Sequence, residues 1–80
     1  MAWSFNSKVD QTIARLIETE IDLLYRIAMR LSRNPADAED LVQEACLRAW
    51  RARDQLRTPG EGRAWLCRIL RNAWIDRCRR

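Results

Sequence analysis

Histidine is absent from the 80 residues, glycine and proline occur only twice each, and lysine only once, at Lys8. Without histidine the chain has no side chain that titrates near neutrality and lacks the commonest metal ligand and general base. Ser4, Ser7 and Ser32 fall at ends and turns, and no serine or cysteine stands beside a candidate base, so no nucleophilic constellation forms and the chain is expected not to be an enzyme. Two glycines exclude a glycine-rich phosphate loop, and so few turn residues mean few, long elements. The three cysteines, Cys46, Cys67 and Cys78, are odd in number and lack CxxC spacing, which argues against a disulfide framework or a zinc ribbon. Cys67 and Cys78 share a helix face but stand about 16 Å apart, too far for one metal. All three read as reduced thiols. No cofactor is expected. No apolar run approaches the ~20 residues of a membrane span, and residues 1–7 have neither the basic nor the apolar part of a signal peptide, so the expected location is the cytosol, without membrane insertion. Strand alternation, repeats and low-complexity stretches are also missing.

What is present is apolar content of 48% with four tryptophans, enough for the core of one small domain near the lower size limit of self-sufficient folding. The formal charge of +4 is unevenly distributed: residues 37–44 hold four acids and no base, and residues 63–80 hold six arginines against Asp76 alone. Fourteen arginines to one lysine favour planar, bidentate contacts to phosphates or base edges, although coding bias contributes to such a ratio.

The chain is organised around residues 34–50. Pro35 suits a first helical position, Asn34 its N-cap, and Asp37 a capping-box-like partner three residues on. At 100° per residue Ala38, Leu41, Val42, Ala45, Ala49 and Ala52 form one stripe, with Asp37, Asp40, Glu44, Arg48 and Arg51 opposite. Leu47 falls on the polar side among acids, which suggests a docking patch, or else a single exposed leucine of the ordinary kind. The acids Asp37, Glu39, Asp40 and Glu44 are better explained by capping and docking than by Mg²⁺, because hard-cation sites draw ligands from separate segments.

Upstream, Val9, Ile13, Leu16, Ile17, Leu24, Ile27, Ala28 and Leu31 predict a long amphipathic helix over residues 8–32. Glu20 lies in that stripe, so either it pairs with a buried arginine or the helix breaks at a Thr19 cap; a single helix with a local disturbance is favoured. Residues 1–7 read as a loose lead carrying Trp3 and Phe5. Residues 33–35 make a tight connection to a second helix over 35–53, and residues 54–62 form a loop in which Thr58 begins another capping-box pattern with Glu61. In the last helix, 63–80, the stripe Trp65, Leu66, Ile69, Leu70 and Ala73 opposes Arg68, Arg71, Asn72, Ile75 and Arg79. The latter face can track a phosphate backbone while Asn72 reaches a base edge and Trp65 or Trp74 stacks on unpaired bases; solvation or core packing explains the same residues without DNA.

Three ordered motifs carry a resemblance: Leu24-Tyr-Arg-Ile-Ala-Met-Arg-Leu31; Asp37-Ala-Glu-Asp-Leu-Val-Gln-Glu44 with Arg48-Ala-Trp50; and Arg63-Ala-Trp-Leu-Cys-Arg-Ile-Leu-Arg-Asn72 with Ile75-Asp-Arg77. Together they resemble region 2 of bacterial RNA polymerase sigma factors, most closely the extracytoplasmic-function (ECF) group. The resemblance implies an all-α fold, a compact bundle of three to four helices occupying residues 1–80 as one domain. It implies docking on the coiled coil of the RNA polymerase β′ clamp through Asp37, Asp40, Leu41, Gln43, Glu44 and Leu47. It also implies capture and melting of the −10 promoter element as single-stranded non-template DNA, through Arg57, Arg63, Trp65, Arg68, Arg71, Asn72 and Arg79. An anti-sigma factor is a further implied partner.

The family continues beyond a position such as Arg80 into a second helical domain that reads the −35 element, so the expectation is either an isolated fragment or a chain working with a separately supplied reader. Cys67 and Cys78 replace the bulkier residues that the family pattern leads one to expect. The competing reading is a sigma-like decoy that binds an anti-sigma factor without melting DNA, which loss of the basic face would mark. A plain helix-turn-helix reader needs a short second helix that this spacing does not supply.

Overall fold

The computed structural model describes residues 7–56 and 58–79, and these are helical throughout their regular structure, with no strand among the described residues. Three helices follow in order: α1 (Lys8–Ser32), α2 (Pro35–Arg51) and α3 (Gly62–Cys78). Two 3₁₀ turns, Arg53–Gln55 and Pro59–Glu61, lie in the α2–α3 connection. The expected lead falls outside the described residues apart from Ser7, and so do Trp3, Phe5, Arg57 and Arg80.

Local chemistry sets the helix ends. Ser7 caps α1 by accepting the Asp10 N–H at 3.1 Å, and α1 runs unbroken through Glu20 to Arg33. There the backbone turns left-handed (φ 55°), the Arg33 N–H bonds to the Met29 carbonyl at 2.8 Å, and the helix stops. Asn34 is extended and accepts the Asp37 N–H at 3.1 Å, with Pro35 in the first turn of α2, so the chain reverses within two residues. The capping box is only half formed, because the Asp37 carboxylate turns to Arg77 instead.

The core lies where all three helices meet. Leu24, Ala28, Ala45, Ala49, Leu66 and Leu70 are each fully inaccessible to solvent. Alanines fill most of the α2 stripe, and they share one buried cluster with Leu24 of α1 and Leu66 and Leu70 of α3. Val9, expected in the α1 stripe, is 43% exposed. Asp10, next to it, takes the inward position in the first turn.

The connection is more regular than a plain loop. Helix α2 ends at Arg51, two residues early, and the chain tightens into 3₁₀ geometry from Arg53. Thr58 acts through its backbone, its carbonyl accepting the Glu61 N–H at 3.0 Å, and α3 starts without a side-chain cap. Gly62 is buried where α3 crosses α1, and a Cβ there would sit 2.6 Å from both terminal methyls of Leu16. Gly62→Val is therefore expected to destabilise the fold by about 1–3 kcal/mol through overpacking. Urea unfolding checks this, and an unchanged midpoint would show that α1 and α3 have room to spare.

Candidate functional site

The acidic side of α2 divides into paired and unpaired parts. Arg48 donates to Glu44 at 2.8 Å and to Asp76 of α3 at 2.8 Å, while Arg77 of α3 donates to Asp37 at 2.9 Å. The first of these lies within α2; the Arg48–Asp76 and Arg77–Asp37 bonds tie α2 to α3 across an open groove of about 440 Å³ bordered by Asp40, Leu41, Glu44, Arg48, Ala73 and Arg77. Both links are solvent-exposed pairs, each contributing ~0.2–1 kcal/mol and open to exchange with a partner's charges. Hydrogen bonds to Glu44 and Asp76 push the Arg48 guanidinium up from an already permanently charged value. Asp40 and Gln43 are exposed and carry no such link among the described residues.

Leu41, by contrast, is 1% exposed and belongs to the core, so it supports the face from beneath and offers a partner no side chain. Leu47 is half-buried rather than fully exposed. It is nevertheless separate from the apolar side chains that pack on the core cluster among the described residues.

On α3, Arg68, Arg71, Asn72, Ile75 and Arg79 are all exposed, on the side away from Leu66, Leu70 and Ala73. Their guanidiniums form no ion pair among the described residues. Beside this face opens a cavity of about 460 Å³, lined by Gln55, Leu56, Glu61, Ala64, Trp65 and Arg68. Trp65 is half-buried, one part packed on the core and another lining the cavity. The arrangement offers an indole surface, an arginine, an amide and the Glu61 carboxylate at one opening.

Arg63 differs from the other arginines. Its Nε donates to Glu20 Oε2 at 2.6 Å and its Nη2 to Glu20 Oε1 at 3.3 Å. The Glu20 side chain is only 7% exposed, whereas that of Arg63 is 71% exposed. The carboxylate, whose hydrogen bonds push the Arg63 guanidinium further up, thus resolves the puzzle of an acid in the α1 stripe. The arginine that covers it is a surface residue, not a buried one. Arg63 is committed to the fold along one edge and keeps N–H groups on the other toward solvent.

A second such pair, unexpected from the sequence, joins Asp10 to Arg53. Arg53 donates to Asp10 at 2.7 Å and to the Trp50 carbonyl at 2.8 Å, and lies 4.4 Å over the Trp50 ring. The usable signal was Asp10's spacing of three and seven residues from Ile13 and Ile17, which puts an acid on the apolar stripe.

Burial pushes the Cys46 thiol up from its ordinary value, which favours the neutral form; Cys67 is half-buried and Cys78 exposed. Among the described residues no cluster of acidic or cysteine side chains is arranged to hold a metal ion, and no helix is long and apolar enough to cross a membrane.

Known proteins share this pattern. The family model for sigma-70 region 2 matches residues 16–80. The chain is 43% identical over 65 residues to the ECF RNA polymerase sigma factor SigE of Mycolicibacterium smegmatis, covering 81% of this chain and 25% of that protein. It is 42% identical over 62 residues to SigL of Mycobacterium tuberculosis, covering 76% of this chain and 35% of the relative. With SigW of Bacillus subtilis the identity is 35% over 74 residues, covering 91% and 40%. The chain thus spans between a quarter and two fifths of the length of these curated relatives. No solved structure matches it significantly. With its three motifs displayed on a helical bundle, and with relatives named as ECF sigma factors along most of its length, the chain belongs to the sigma-70 region 2 family, in its ECF branch.

Proposed function

We propose that this chain is a non-enzymatic transcription-initiation domain working in the cytoplasm, with two faces for two partners. The α2 face, built on Asp40, Gln43 and Leu47 with Asp37 and Glu44 at its border, docks on the β′ clamp coiled coil of core RNA polymerase. The α3 face and its adjoining cavity bind the −10 promoter element as single-stranded non-template DNA, and an anti-sigma factor competes for these surfaces. The observation that carries the reading is the outer face of α3, where Arg68, Arg71 and Asn72 are exposed beside the cavity that Trp65 and Arg68 line. Phosphates meet guanidiniums there, and an extruded base meets an indole. Extrusion costs a few kcal/mol, and stacking returns about 1–3 kcal/mol per base. Arg63 contributes through its outer edge and Arg79 from the C-terminal end of the face. Arg57 keeps its proposed DNA role on the motif resemblance alone.

The domain is expected to bind single-stranded −10-like DNA more tightly than the same sequence as duplex, with affinity falling steeply as salt rises. Arg68→Ala and Arg71→Ala should each lower the slope of log affinity against log salt by about one. Fluorescence anisotropy measures both, and equal affinity for duplex would reject strand capture. A decoy that only binds an anti-sigma factor has no need of this unpaired cationic face, so the same titration separates the two readings.

A further inference from the structure

Two buried carboxylates on α1 share one arrangement. Asp10 and Glu20 are 8% and 6% exposed, and each meets an arginine from the α2–α3 connection, Arg53 just after α2 and Arg63 in the first turn of α3. The acids are ten residues apart on α1 and so are the arginines. Ten residues of helix span about 15 Å, so α1 acts as a ruler gripping the connection at both ends. The cavity at Gln55, Leu56, Glu61 and Trp65 is built from residues between or just beyond the grips. Among the described residues its backbone bonds are local: Gln55 N–H to the Ala52 carbonyl at 2.8 Å, Leu56 N–H to the Arg53 carbonyl at 3.3 Å and Glu61 N–H to the Thr58 carbonyl at 3.0 Å.

We infer that Asp10 and Glu20 are positioning residues for strand binding: buried acids that fix Arg53 and Arg63 and thereby the shape of the Gln55–Leu56–Glu61–Trp65 cavity. The inference rests on the proposed strand binding for its effect on DNA, but its structural part stands apart from it. Glu20 has a further effect: by occupying one edge of Arg63, it leaves the remaining N–H groups of that 71% exposed side chain toward solvent. At Asp10 the carboxylate lies in the first turn of α1, near the positive end of the helix dipole, and holds Arg53 at 2.7 Å.

Asp10→Asn and Glu20→Gln keep size and shape while removing the charge that strengthens the bonds to Arg53 and Arg63, and at Glu20, where both oxygens accept, one acceptor becomes an NH₂. In the 80-residue chain carrying either or both substitutions, hydrogen exchange at the Gln55, Leu56 and Glu61 amides is expected to accelerate about tenfold or more. Exchange at Leu66, Leu70 and Ala73 should stay within about twofold. Anisotropy would use an oligothymidylate of about twelve nucleotides and an abasic strand of equal phosphate number, with the variants losing about tenfold on the first and less than about twofold on the second. Unchanged exchange at the three cavity amides would overturn the inference, as would equal loss on both strands or faster exchange throughout α3, which mark general destabilisation. Wild-type protein that fails to distinguish the two strands would sink the proposed strand capture, and the exchange experiment would still decide whether the grips shape the cavity.

Discussion

Leu41→Ala is expected to cost about 2–5 kcal/mol and to lower Tm by at least about 10 °C. Leu41 is 1% exposed and belongs to the cluster with Leu24, Leu66 and Leu70. Truncation leaves a cavity in a core whose α2 side is mostly alanine, so few neighbouring side chains are long enough to move in and fill it. An 80-residue domain has roughly 4–12 kcal/mol of total stability, so the loss is a large share of what holds the chain folded. Calorimetry or urea unfolding measures it. Any accompanying loss of polymerase binding should track the unfolded fraction and be recovered on cooling toward the temperature of greatest stability. A variant that kept its Tm within a few degrees yet bound no polymerase would place Leu41 on the docking surface after all.

Leu41 also shows where sequence and structure part company. Helical periodicity put it on the apolar stripe, whereas the motif resemblance put it in the docking set, and burial agrees with the periodicity. The α1–α2 reversal was legible because its causes are local: Asn34 and Pro35 carry their capping chemistry with them. The exposed face of α3 was legible for a similar reason, since spacing alone puts Arg68, Arg71, Asn72, Ile75 and Arg79 on one side. The 3₁₀ turns and the Asp10–Arg53 and Glu20–Arg63 pairs were not. Each pair joins residues 43 positions apart, and only the packed arrangement of α1 against the connection brings them together. The sequence could show an acid on an apolar stripe, but not which of fourteen arginines would answer it. The same limit applies to Asp37 and Asp76. Their acidity was plain, and their use in tying α2 to α3 depended on where Arg77 and Arg48 came to lie.

Asp40→Arg combined with Leu47→Asp is expected to abolish binding to core RNA polymerase while leaving the fold intact, with Tm shifted by no more than a few degrees. Asp40 is exposed and makes no ion pair among the described residues, so its replacement breaks nothing within the domain. Leu47 is half-buried but stands outside the apolar set packed on the core, so an acid there removes an apolar contact for a partner more than one for the fold. Charge reversal at the centre of a complementary patch costs several kcal/mol through like-charge repulsion, and losing an apolar anchor adds to it. Together they exceed a factor of about 10³ in affinity, enough to empty a pull-down with core polymerase or with the isolated clamp coiled coil. The exposed arginines of α3 are untouched, so single-stranded DNA binding should persist in the same variant. Retention of polymerase would reject the α2 face as the docking surface, and simultaneous loss of DNA binding would show that the two faces do not act separately.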